Sequence, residues 1–155
     1  MRLQLCGRRR GALNSDEIGS VMGENIGVSN WFFACGGVFG AIGVASGALG
    51  AHVLKERFDG ATLEIYTTAV SYLLVHSVVL LVCGAVLRAN ESKRWFKFAG
   101  NLLIVGILLF CGGLITRAVT GIPTIGKVVP IGGMALILAW LAIAVGGITG
   151  VGKPK

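Results

Sequence analysis

Four residues spaced four apart could carry chemistry inside an otherwise apolar stretch: Glu64, Thr68, Tyr72 and His76. On a helix, residues four apart lie one above the other. A carboxylate, a hydroxyl, a phenol and an imidazole in that order would form a proton or ligand path. Histidine suits such a path because its unperturbed charge change falls between roughly pH 5 and 8. An ionisable side chain within a membrane is a functional candidate by default. The competing reading is structural: a neutral His76 hydrogen-bonded to a neighbouring helix. No acid or second histidine lies at comparable depth, so the residues favour the structural reading.

The second histidine, His52, ends the run Gly47-Ala48-Leu49-Gly50-Ala51-His52. Two axial ligands of a haem must face each other at one depth. His52 belongs near the surface and His76 near mid-helix, so pairing them needs a slip of about two turns, roughly 11 Å. No haem, metal or other cofactor is expected. The cysteines Cys6, Cys35, Cys83 and Cys111 contain no C-x-x-C pair. The last three fall in apolar stretches and read as small buried hydrophobes, not as disulfides or ligands. No nucleophile–base arrangement, metal-ligand cluster or phosphate-binding loop stands out. The expectation is a protein that is not an enzyme.

The elements that hold these residues follow from composition. The chain has 155 residues, a one-domain length. It is 54% hydrophobic and 14% charged, where soluble domains carry roughly a quarter charged residues. Mean hydropathy is +0.80. Too few polar residues remain to cover so much apolar surface in water, and a lipid bilayer removes that requirement. The net charge of +7 sits in short caps between apolar runs. It forms no basic face with interleaved aromatics, which argues against nucleic acid as a partner.

Gaps between charges mark four spans, at about 31–52, 68–87, 98–116 and 129–149. Each must be helical, because open strands cannot satisfy their backbone in lipid. The stretch from Trp31 to Ala51 would rise about 31 Å, matching a hydrocarbon core of about 30 Å. Pro130 falls near the start of the fourth span, where a missing N–H costs nothing. Residues 88–97 join spans two and three, with Trp95 and Phe96 placed for an interfacial belt. Residues 117–127 join spans three and four through the turn formers Gly121 and Pro123. Links this short make consecutive helices antiparallel neighbours. The expected fold is all-α: a four-helix transmembrane up-down bundle over residues 31–152, preceded by a polar N-terminal extension over 1–30.

That extension reads as a disordered tail. Its Arg-rich start is reminiscent of a mitochondrial presequence, but Asp16, Glu17 and Glu24 weaken that reading. No apolar h-region follows the basic cluster, as a secretory signal would require. Arg2, Arg8, Arg9, Arg10, Arg88, Lys93, Arg94, Lys97, Lys153 and Lys155 fall on the side of both termini. Lys55, Arg57, Arg117 and Lys127 fall opposite. The excess puts both termini on the positive side, cytoplasmic or matrix.

The first span also carries Gly36, Gly40, Gly43, Gly47 and Gly50, at alternating steps of four and three. Glycine inside a water-exposed helix costs roughly 1 kcal/mol against alanine. Within a membrane, aligned small residues instead let two backbones approach closely. The glycines are therefore expected to form a helix-packing seam.

Together, several motifs resemble the YwdK/YgdD-type family of small uncharacterised four-helix membrane proteins. They are Gly47–His52; Tyr66-Thr67-Thr68-Ala69-Val70-Ser71-Tyr72 with His76; Leu109-Phe110-Cys111-Gly112-Gly113; and Val129-Pro130-Ile131-Gly132-Gly133 with Trp140. The resemblance covers about residues 31–145 and implies a bacterial cytoplasmic membrane or a mitochondrial inner membrane. Members often carry an aromatic residue shortly after the third motif, where this chain has Leu114-Ile115-Thr116-Arg117. The family implies no activity. Two readings follow for function. The first is a structural or accessory subunit packing against lipids, other membrane proteins or copies of itself. The second is a small transporter or cofactor-binding protein using Glu64, Thr68, Tyr72 and His76.

Overall fold

A computed structural model of the chain describes residues 15–89 and 94–150, without the side chains of residues 15–22, 24, 25 and 150. It contains five α-helices: α1 (Ser15–His52), α2 (Gly60–Ala89), α3 (Arg94–Gly106), α4 (Gly112–Thr120) and α5 (Val129–Gly150). A π-helical turn over Ile107–Cys111 connects α3 to α4, so Arg94–Thr120 is one continuous rod. Four segments are long and apolar enough to cross a bilayer: Ile26–His52, Gly60–Ala89, Arg94–Thr120 and Pro123–Thr149. The fold is all-α, with four spans, and the described residues contain no strand.

Local chemistry sets where the rods stop. Asp59 caps α2: its Oδ1 accepts the Thr62 N–H at 2.7 Å, which satisfies one of the free amides of the first turn. That bond, together with the Thr62 hydroxyl, holds the Asp59 carboxyl below the usual aspartate range. Gly121 ends α4 with φ at 70°, a left-handed conformation that glycine adopts without a Cβ clash. Its N–H donates to the Arg117 carbonyl at 2.9 Å, and Pro123 follows. Short 3₁₀ turns at Leu54–Glu56 and Pro123–Lys127 complete the two connections on this side.

The rods pack in chain order. α1 lies on α2, α2 lies on α3 and α4, and α3 with the π turn lies on α5. Phe32, Leu80, Leu103 and Ile107 are buried where they meet. Cys83 and Cys111 are buried among them, and both are free thiols, as is the half-buried Cys35. α1 has no extended contact with α5, and α2 has none with α5. The bundle is therefore open along two of its flanks.

All five seam glycines face α2. A Cβ built on Gly36 would stand 2.8 Å from Leu81 Cδ2, on Gly43 2.7 Å from Leu74 Cδ2, and on Gly50 2.9 Å from Tyr66 Cε1. At Gly40 and Gly47 it would meet Ser77 Oγ at 3.5 Å and Val70 Cγ1 at 3.6 Å. The backbones approach because no side chain holds them apart.

The structure departs from expectation at the N-terminal side. α1 starts at Ser15, so the extension expected to be disordered as far as residue 30 is helical from there. Tertiary bonds hold its last two residues, at the level of the end of α2. Ser29, fully buried, donates its hydroxyl proton to the Gly84 carbonyl at 2.9 Å. Asn30 accepts from Arg88 Nη2 at 3.2 Å, and the Arg88 guanidinium stands 5.6 Å from the Phe33 ring centre. Residues 1–14, including Cys6 and the four N-terminal arginines, lie outside the described residues, as do Lys93, Lys153 and Lys155. Phe96, expected in an interfacial belt, is buried instead and packs where Gly146 of α5 lacks a side chain. Trp95 remains exposed.

Candidate functional site

The four polar residues of α2 do not share an inward face. Each step of four advances about 40° beyond a full turn, so twelve residues swing the direction by about 120°. Glu64 and Thr68 are accordingly exposed, Tyr72 is 44% exposed and His76 is 6% exposed. The stripe spirals from the outer surface into the molecule. Only Tyr72 and His76 reach the interior groove.

His76 is held at both ring nitrogens. Nδ1 lies 2.7 Å from the Tyr72 carbonyl oxygen, one turn back on α2. Nε2 lies 3.3 Å from Trp140 Nε1, on α5. A carbonyl can only accept and an indole N–H can only donate. The neutral imidazole with its proton on Nδ1 satisfies both partners, whereas a proton on Nε2 would face the indole proton. The ring is thus fixed in position and in tautomer, and joins α2 to α5 where their backbones stay apart.

Around this pair the rings are contiguous. Tyr72 stacks on His76 with centroids 5.5 Å apart, Tyr72 meets Phe110 at 5.0 Å, and His76 meets Trp140 edge-on at 6.3 Å. Phe110 belongs to the π turn of the third rod. Such single turns carry an extra residue in the hydrogen-bonded ring and redirect side chains. Gly132 of α5 packs directly against the backbone of Leu109 and Phe110. Gly133 leaves room beside the Phe110 ring, where a Cβ would stand 3.5 Å from Cδ2. The result is a groove of about 520 Å³ between α2 and α5, with Tyr72, His76, Phe110, Gly133 and Trp140 among its walls.

Trp140, Phe110 and Gly133 were not singled out as site residues from the sequence. One signal pointed to Trp140. Membrane tryptophans favour the interfaces, yet this one falls at the middle of its span, and an indole N–H buried in lipid requires an acceptor. His52 is exposed at the end of α1 and takes no part. Among the described residues, no three of His, Cys, Asp or Glu converge in a way that could hold a metal ion.

Comparison with known proteins places these observations in a family. The family described as a protein of unknown function (DUF423) matches residues 46–133, which include Tyr72, His76, Phe110 and Gly133. A UPF0382 membrane protein of Staphylococcus epidermidis is 32% identical over 114 residues, covering 74% of this chain and 92% of the relative. A UPF0382 membrane protein of Staphylococcus saprophyticus is 32% identical over 115 residues, covering 74% and 94%. The UPF0382 membrane protein YwdK of Bacillus subtilis is 32% identical over 114 residues, covering 74% and 93%. No solved structure gives a significant match. With four apolar spans and relatives matched over nearly their whole length, this chain is a multi-pass membrane protein of the DUF423 (UPF0382) family.

Proposed function

We propose that the chain is a non-enzymatic structural or accessory subunit that packs against other membrane proteins or lipids. The observation that carries this reading is the position of α1. Its glycine face is spent on α2, while Trp31, Val38, Ile42, Val44 and Leu49 remain exposed along the rest of the helix. A small chain that devotes one of its four spans to a single neighbour presents the remaining apolar surface to whatever surrounds it. His76 supports the same reading, because both its ring nitrogens are engaged within the chain.

Purification in a mild detergent, followed by mass spectrometry of the proteins retained, tests the proposal. The expected result is stoichiometric recovery of a membrane-protein partner, reduced when Val44→Arg disrupts the exposed face of α1. Recovery of the chain alone and monomeric, under conditions that keep other complexes of the same membrane intact, would overturn it. The membrane proposed is a bacterial cytoplasmic or mitochondrial inner membrane, with both termini on its positive side. Single cysteines at Ser92 and Thr124 in a cysteine-free background should then label from opposite sides, Ser92 from the side of the termini. Labelling of both from one side would contradict that arrangement.

A further inference from the structure

The groove between α2 and α5 has a property that subunit packing does not require. Its polar groups are satisfied within the chain, with one exception. Ser71 Oγ donates to the Thr67 carbonyl at 2.9 Å, and His76 and Trp140 are bonded to each other. The Tyr72 hydroxyl has no hydrogen-bond partner among the described residues. A phenol proton facing hydrocarbon without an acceptor is costly. This one stands on a wall of four adjoining rings, whose centroids are 5.0 to 6.3 Å apart.

Depth narrows what could accept that proton. Tyr72, His76 and Trp140 each lie within about 4 Å of the midpoint of their helices, taking 1.5 Å per residue. A hydrocarbon core is about 30 Å thick, so phospholipid ester carbonyls lie nearer the helix ends than these backbone positions do. An acyl chain reaches it but offers no acceptor. A molecule that partitions into the bilayer interior while carrying both a flat ring and a carbonyl oxygen supplies what the groove lacks. The ring would lie against the aromatic wall in offset or edge-on contact, and the carbonyl would accept from Tyr72. The volume of about 520 Å³ is within the range of small-molecule sites. Val75, Ile137 and Trp140 at its rim are 54%, 56% and 47% exposed, so entry is sideways from the membrane.

We propose that this groove binds a lipid-soluble carbonyl-bearing ring of the quinone class, with the Tyr72 hydroxyl as donor and Phe110 and Trp140 as walls. The proposal concerns binding and does not depend on the accessory reading: a ligand-bearing subunit and a bare one would both recruit a partner through α1.

The test uses the full chain in lipid nanodiscs and intrinsic fluorescence. Trp31→Phe with Trp95→Phe leaves Trp140 as the reporter; Trp95→Phe with Trp140→Phe leaves Trp31, 60% exposed on α1, as the reference. Titration with a decyl-substituted benzoquinone should quench Trp140 saturably and Trp31 only in linear proportion to probe in the bilayer. Tyr72→Phe keeps the ring and removes only the donor. Because a neutral hydrogen bond contributes about 0.5–1.5 kcal/mol, it should weaken binding about two- to tenfold. Gly133→Leu should fill the groove and abolish saturation. Linear quenching at both tryptophans overturns the proposal. So does unchanged affinity in Tyr72→Phe, or equal displacement by decane, which would make the groove an acyl-chain site.

Discussion

α2 meets two neighbours in opposite ways. Toward α1 it faces five glycines, and the two backbones are separated by little more than α2's own side chains. Toward α5 it presents Tyr72 and His76, and the two helices stay apart with a single long hydrogen bond between His76 and Trp140. In lipid, where burial from water gives no drive, close approach must come from packing and polar contacts. Small residues therefore decide which helices seal together. Rings decide which pair stays open. α5 is not loosely held, because Gly106 on α3 and Gly132 and Gly146 on α5 draw it against the third rod. That attachment is what allows the α2–α5 side to remain a groove.

Substitutions can break or sharpen this contrast, and the largest effect is expected at Gly132. Its Cβ would strike the backbone at Leu109 and Phe110, which cannot rotate aside. Gly132→Ala should cost about 3 kcal/mol, the upper part of the usual overpacking range, and lower the thermal midpoint in detergent accordingly. A wild-type midpoint would mean that α5 is not seated on the π turn. Gly43→Leu comes next, at about 1–3 kcal/mol, because the side chain in its way, Leu74, has some freedom to move. Gly47→Ala should be near neutral, since its methyl would sit 3.6 Å from Val70. If the two glycine variants melt alike, contact distance does not govern the α1–α2 seal.

On the open side the effects are smaller. His76→Leu leaves the Trp140 N–H without its acceptor. Intramembrane hydrogen bonds average about 0.6 kcal/mol, so stability should fall in the order wild type, His76→Gln, His76→Leu. Nitrogen shifts of labelled His76 should place the ring proton on Nδ1, as its two hydrogen-bond partners require. A leucine variant as stable as wild type that also loses a transport signal would instead favour the path reading of the α2 stripe. The smallest effect is at the Asp59 cap. The folded state lowers this carboxyl's pKa, so its contribution is complete above the ordinary aspartate pKa and fades as pH falls through the lowered one. Asp59→Ala should therefore destabilise the protein slightly at neutral pH, and the difference from wild type should shrink in acid. A difference that persists unchanged in strong acid would mean that the charge is not what caps α2.

How much of this was legible beforehand depended on the arithmetic of the helix. The four apolar rods could be read from gaps between charges, because lipid tolerates few ionised groups. The glycine pattern advances fourteen positions, from Gly36 to Gly50, in steps of four and three, returning to within about 40° of its starting direction. Its common face is a matter of spacing alone. The Glu64–His76 pattern uses steps of four throughout and precesses by about 120°, so equal spacing misled where alternating spacing did not. The π turn has no comparable signature in spacing; it lies where the third rod packs on Gly132. The anchoring of α1 at residues 29 and 30 is hidden for a similar reason. Ser29 and Asn30 look like solvent-exposed polar residues until Gly84 and Arg88 of α2 are brought beside them.

The chain-order packing also has a consequence for biosynthesis. The main partner of α1 is α2, and that of the third rod is α5, so each half of the molecule is a hairpin whose contacts are local in sequence. Local contacts form quickly, and chains emerge and fold from the N-terminus. The first hairpin can thus close while the second is still being made. The groove has no counterpart in either hairpin: it has one wall from each and exists only after the last span has entered the bilayer. A truncated or stalled product would carry an intact glycine seam and no groove, making the His76–Trp140 bond a marker of completed synthesis.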